Sequence, residues 1–122
     1  MGNNNIDPAL DLMRDFARIT KGVPRQINEM RQQHIFKDGE VSAKHKTLAA
    51  MLWSISSRCE PCIKYYAGQA RKLGASESEL GEFLAVASTM GGCVGEMWAL
   101  KAYKAYIDNQ ANPVQADPSC CP

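Results

Sequence analysis

Signals that start and stop helices recur at nearly every break in the apolar pattern of this chain, and they leave little room for other secondary structure. Asp7-Pro8 reads as a cap with proline at the first helical position. Leu10, Met13, Phe16, Ala17 and Thr20 follow at helical spacing until Lys21-Gly22 stops the run, which predicts a first helix over about residues 8–20. Pro24 opens a second helix with Ile27, Met30, His34 and Ile35 on one stripe, closed by Lys37-Asp38-Gly39. Ser42 caps a third, whose interior (Leu48, Ala49, Met51, Leu52, Trp53, Ile55) is apolar nearly all round and reads as buried. A fourth carries Cys62, Ile63, Tyr66, Ala67, Ala70 and Leu73 up to Gly74. Ser76-Glu77-Ser78-Glu79 has the capping-box form and starts a fifth, Gly91-Gly92 breaks it, and a sixth runs from Val94 to about Asn109.

No segment alternates apolar and polar residues with β-branched content, so strands are not expected and the fold class is all-α. The short, capped turns on either side of the fourth helix make its neighbours antiparallel partners. With 122 residues the chain suits one domain and can bury a core without metal or disulfide staples. Residues 1–110 form the expected helical domain. Residues 111–122, with three prolines and Cys120-Cys121, read as a mobile tail.

Charge narrows the function classes. Lys and Arg number 14 against 13 acidic residues, with neither sign in a long run, which argues against nucleic acid or an anionic membrane surface as the partner. No apolar stretch approaches the roughly 20 residues of a membrane span, and the first residues lack a secretion signal. Met1-Gly2 opens like a myristoylation signal, but Ile6 stands where Ser or Thr is needed. A cytoplasmic protein is the expectation, in which five cysteines rest as thiols unless a pair is catalytic.

Cys59-Glu60-Pro61-Cys62 is the pair to consider. The two thiols lie three residues apart where the fourth helix begins. Unpaired N–H groups and the positive end of the helix dipole there favour ionisation of a thiol. A zinc site would need about four ligands, and the remaining paired thiols lie in the tail, so neither metal nor cofactor is expected. Cys93 reads as a small, buried, inert side chain. Trp53, Met90, Met97 and Trp98 read as core or subunit contacts.

From Lys46 to Tyr106 the chain resembles the carboxymuconolactone decarboxylase and AhpD-like alkylhydroperoxidase family. The resemblance rests on Leu48-Ala49-Ala50-Met51-Leu52, on Arg58-Cys59-Glu60-Pro61-Cys62-Ile63-Lys64-Tyr65, on Leu73-Gly74-Ala75-Ser76 and on Met90-Gly91-Gly92, in that order. It implies a single-domain bundle of about six helices assembled as a homotrimer or homohexamer. It also implies that Cys62 attacks a peroxide, that Cys59 resolves the sulfenic acid as a disulfide, and that a lipoyl-type dithiol partner re-reduces it.

Two positions depart from that pattern. The family's histidine, four residues after the second cysteine, is Tyr66 here, and its glutamate, twelve before the first, is Thr47. Those groups form the proton relay that activates the thiol. A tyrosine with a pKa near 10 cannot take a thiol proton at neutral pH but can donate a hydrogen bond to sulfur. His45 lies on the wrong face to substitute, and His34 reads as a packed core group. Glu96, after the glycine pair, is the best spare carboxylate. The expectation is a dithiol/disulfide protein with weak or altered peroxidase activity, supported by Tyr66, Thr47 and Glu96. A non-enzymatic helical assembly or binding module is the alternative. A lyase acting on a lactone-like acid ranks last, because the matched positions supply no histidine or arginine for the cleft.

Overall fold

The computed structural model describes residues 7–111, and one 3-10 turn and five α-helices account for most of them. A 3-10 turn over Pro8–Leu12 leads into α1 (Met13–Ile19). It is followed by α2 (Val23–His34), α3 (Ala43–Ser56), α4 (Glu60–Lys72) and α5 (Glu77–Ala111). No strand occurs among the described residues. The proposed tail, with Cys120 and Cys121, lies outside them apart from Ala111, which ends α5.

The last element joins the two helices expected on either side of the glycine pair. Gly92 sits at φ 61° and ψ −146°, outside the helical region, and there the chain reverses. A straight helix would hold Glu77 and Tyr103 about 39 Å apart at 1.5 Å per residue. Instead the Tyr103 hydroxyl donates to Glu77 Oε2 at 2.6 Å. The arms 77–91 and 93–111 therefore lie side by side, and Gly95 lets them meet, since a Cβ there would collide with the Ala87 carbonyl oxygen. Counted as arms, the α-helices among the described residues number six.

The hairpin also corrects the membrane arithmetic. Residues 83–100 carry a single charge, Glu96, so α5 is by length and composition long and apolar enough to cross a membrane. The reversal at Gly92 halves it, and its second arm places Ala99, Ala102 and Tyr106 in the chain's own core.

That core lies between α3, α4 and α5. Leu48, Met51 and Ile55 of α3 pack on Ile63, Tyr66, Ala67 and Ala70 of α4 and on Leu80, Ala99, Ala102 and Tyr106 of α5. The alanines permit close approach of the helices, and Tyr106 ties the second arm to the α4–α5 turn by donating to the Ala75 carbonyl at 2.8 Å. Only one face of α3 is buried. Ala49 and Trp53 are on the surface, Trp53 at 78% exposure, so α3 is not buried all round: its outer face has no partner among the described residues.

The N-terminal part differs more. Its first segment opens as a 3-10 turn because the Asp7 carboxylate accepts from the Ala9 N–H, and the Leu10 N–H bonds to the Asp7 carbonyl three residues back. No residue of that turn or of α1 is buried, so packing does not convert it to a full α-helix. In α2 the inward face is Pro24 and Arg31, with Ile27 and Ile35 half-buried, while Met30 and His34 are exposed. His34 is therefore not a core group. No Cα of α2 comes within 8 Å of one in α3, α4 or α5, so side chains alone bridge that gap.

The junctions are built as the sequence indicates. After α4, Gly74 takes φ 93°, its N–H bonding the Arg71 carbonyl and that of Ala75 the Ala70 carbonyl, a Schellman stop. Ser76 and Glu79 bond each other's backbone N–H at 3.0 Å. Glu79 also accepts from Lys44 Nζ at 2.8 Å, joining α3 to α5. Lys44, with help from the Ser76 N–H, holds the Glu79 carboxyl below its ordinary value of 4.5. A depressed folded-state pKa contributes stability that is complete above the unfolded value and lost as pH falls through the folded one. Glu79→Gln should thus be less stable than the parent at neutral pH. The difference should close as pH falls below about 4.5, in urea unfolding followed by circular dichroism.

Candidate functional site

The cysteine pair sits where α3 hands over to α4. Ser57 ends α3, and Arg58 takes the left-handed conformation at φ 57° that a glycine would hold without strain. The Arg58 N–H bonds the Ile55 carbonyl at 3.1 Å and the Cys59 N–H the Ser54 carbonyl at 3.1 Å, so this turn is also a Schellman stop. It leaves Cys59 extended as the N-cap of α4, with Glu60 and Pro61 in the first turn and the Ile63 N–H returning to the Cys59 carbonyl at 2.9 Å. Cys59 and Cys62 are joined as a disulfide across a Cα–Cα distance of 5.2 Å, and both are half-buried.

Opposite charges surround the motif. Glu60 disfavours a neighbouring thiolate, yet its carboxylate lies 3.8 Å from Lys64 and 3.9 Å from Lys101 of α5. These half-exposed pairs contribute little to stability, but they offset the glutamate's field at the sulfurs.

Tyr66 stands one turn after Cys62 on the same face of α4 and is buried in the core. Its hydroxyl accepts a 2.7 Å hydrogen bond from Arg31 Nε of α2. Arg31 is only 5% exposed. Its guanidinium lies 5.4 Å from the centre of the Tyr65 ring and 5.9 Å from that of Tyr66. Phe36 completes the aromatic surround at 6.2 Å from both tyrosine rings. No carboxylate pairs with Arg31 among the described residues, and its buried Nη1 has no hydrogen-bond partner there.

Sequence reasoning missed this residue. An arginine between Met30 and Gln32 on an amphipathic helix reads as solvated surface. The only hint was its place one face over from the Met30/His34 stripe, seven residues after Pro24. Two further buried atoms lack partners among the described residues: Asn28 Oδ1, one turn before Arg31, and Thr47 Oγ1 on α3.

Other candidates fall elsewhere. Both histidines are exposed: His34 ends α2, and His45 helps cap α3 through Ser42 and stacks on Phe83 at 6.4 Å. Glu96 is exposed and lines a shallow cleft between the arms of α5 with Leu84, Ser88 and Tyr103. Cys93 is a free, exposed thiol beside the Gly92 reversal, not the buried group expected, because the reversal turns its position outward. Among the described residues no three cysteine, histidine or acidic side chains converge as metal ligands.

Residues 21–105 match the sequence model of the carboxymuconolactone decarboxylase family, a span that begins well before Lys46 and takes in α2. An uncharacterized protein of Cupriavidus necator is 29% identical over 100 residues, covering 80% of this chain and 88% of that protein. In three dimensions the chain is similar to the apo form of a carboxymuconolactone decarboxylase family protein from Legionella pneumophila. The TM-score is 0.67 at 31% identity, with 80% of this chain and 89% of the other covered.

Thr47 offers a direct test of its surroundings. A buried hydroxyl without a hydrogen bond costs on the order of 1–3 kcal/mol relative to a methyl of the same shape. Thr47→Val should therefore keep or raise the unfolding free energy in urea denaturation, by up to about 1 kcal/mol. A loss of that size would mean that the hydroxyl is bonded in solution.

Proposed function

The chain belongs to the carboxymuconolactone decarboxylase family, and on that footing we propose that it is an AhpD-like thiol–disulfide redox protein whose Cys59 and Cys62 cycle between disulfide and dithiol. The observation that carries this reading is the Cys59–Cys62 disulfide at the N-terminus of α4, where the helix end stabilises a thiolate once the bond is reduced.

With an organic hydroperoxide as oxidant, the Cys62 thiolate attacks the O–O bond and takes one oxygen as a sulfenic acid while an alcohol leaves. Cys59 then attacks that sulfur, releasing water and closing the disulfide. A small dithiol, such as a lipoyl group on a partner protein, restores both thiols by exchange. Peroxidase turnover is weak in this reading. Tyr66 occupies the relay histidine's place and both histidines are exposed, and general-base help is typically worth roughly 100- to 10,000-fold.

The protein works as a homo-oligomer, a trimer or hexamer, in the cytoplasm. Supporting the assembly are Trp53, Met90, Met97 and Leu100, exposed at 78%, 82%, 58% and 53%, together with an α1–α2 segment that has little core of its own to lie on. The same surface favours the second reading, a non-enzymatic assembly in which the disulfide only braces the α3–α4 turn.

Differential thiol labelling and mass spectrometry separate the two. Reduced protein exposed to cumene hydroperoxide should gain the Cys59–Cys62 disulfide and recover both thiols with dihydrolipoamide. Cys62→Ser should abolish the cycle without changing the oligomer. If both thiols stay reduced under hydroperoxide while the oligomer persists, the assembly reading stands and the redox reading falls.

A further inference from the structure

Among the described residues the least compensated charged group is Arg31. The residue is 5% exposed, and one guanidinium nitrogen is bonded to Tyr66. Another has no partner among the described residues, and no carboxylate lies against it. Faces of Tyr65 and Tyr66 provide a weak negative surround and no counter-charge. A buried cation in that condition stabilises any anion brought within its reach, because little water intervenes to screen it. One turn of α4 separates Tyr66 from Cys62, whose sulfur is neutral in the disulfide and can become an anion only when the bond is reduced.

Resting on the redox reading above, we propose that Arg31, through Tyr66, is the positioning residue that holds Cys62 as a thiolate in the reduced protein, so that the Cys59–Cys62 disulfide is an oxidising one. The Tyr66 hydroxyl accepts from Arg31 Nε, and in this proposal its own proton serves the Cys62 sulfur one turn back on α4. Charge on the guanidinium thereby reaches the sulfur as an oriented hydrogen-bond chain, taking the part that a protonated base would play.

In the exchange step, a thiolate of a small dithiol attacks one sulfur and the S–S bond breaks. The mixed disulfide is then resolved by the reagent's second thiol. Two electrons pass to the protein, Cys59 keeps one proton, Cys62 is left as the thiolate, and the second proton goes to solvent. Formation of that anion, reached from the buried cation through Tyr66, is what draws the equilibrium toward the reduced form.

The other charged groups do not account for this. Glu60 opposes the thiolate and is offset by Lys64 and Lys101. Arg58 is exposed, and Glu96 is exposed in the cleft between the α5 arms. The buried side chains of α3 are all uncharged, Thr47, Met51 and Ser54 among them, while Lys44 is committed to Glu79. Arg31 is the buried cation among them.

The test is the redox equilibrium of the full-length protein with dithiothreitol, read by thiol labelling, together with the pH profile of Cys62 alkylation by iodoacetamide. Arg31→Gln and Arg31→Met should shift the equilibrium at least tenfold toward the disulfide, about 30 mV for a two-electron couple, and move the alkylation midpoint upward. Arg31→Lys should stay within about threefold of the parent, because it keeps the charge. Tyr66→Phe keeps the aromatic surround and severs the oxygen link, so it should shift both readouts in the same direction by a smaller amount. It also carries the test if the Arg31 variants fail to fold. Parent-like equilibrium and alkylation profiles in folded Arg31→Gln or in Tyr66→Phe would overturn the proposal, as would an Arg31→Lys defect equal to that of Arg31→Gln. A parent protein that does not equilibrate with dithiothreitol would instead sink the underlying redox reading.

Discussion

The hydrogen bond from Arg31 Nε to the Tyr66 hydroxyl joins two parts of the molecule that hardly meet otherwise. The backbone of α2 stays beyond 8 Å, Cα to Cα, from every residue of α3, α4 and α5, so long side chains hold it in place. Arg31 is the charged one among them, and it reaches the helix that carries the cysteines. Removing a hydrogen-bond partner of a buried cation is costly, which binds the position of α2 to the integrity of Tyr66. In the proposed redox reading, the same contact is what links the peripheral α2 to Cys62.

Two backbone devices set the geometry around that contact. A left-handed Arg58 closes α3 and aims Cys59 into the first turn of α4, where free N–H groups converge. Gly92 reverses α5, and Gly95 lets the arms close on each other, so the second arm can present Ala99, Ala102 and Tyr106 to α4. The first device requires a strained residue where glycine would be easier. Strain at a cysteine-bearing turn is consistent with a function that needs Cys59 extended at the cap, and the second device allows an apolar run to pack as a hairpin.

Much of this was legible in the residues. Ser42, Ser76-Glu79 and Gly74 act through local hydrogen bonds that depend on nothing distant, so their caps and stops appear where the sequence puts them. The break at Gly92 was legible for the same reason, as was the placement of Cys59-Glu60-Pro61-Cys62 at a helix start. What periodicity cannot give is which of two adjacent stripes faces inward. Met30 and His34 looked like the buried stripe of α2, yet Arg31 lies inside because its stem and guanidinium fit against Tyr65 and Tyr66, residues 34 and 35 positions away. Burial of Cys93 and Trp53 was misjudged for a related reason: apolar character does not say whether the covering partner belongs to the same chain.

Thr47 and Tyr66 stand where the resemblance leads one to expect a relay of glutamate and histidine, and in the proposed reading part of that work falls to Arg31, from outside the motif. Side-chain NMR of Arg31 reads the coupling between that arginine and the sulfurs without disturbing either. The Nε–H of a buried, hydrogen-bonded guanidinium gives a resolved proton–nitrogen correlation, which can be followed while Cys59 and Cys62 are reduced with a dithiol. If a thiolate forms within reach of the cation, that resonance moves on reduction and the shift titrates with the ionisation of Cys62. An Arg31 resonance identical in the oxidised and reduced protein across the titration would contradict the coupling.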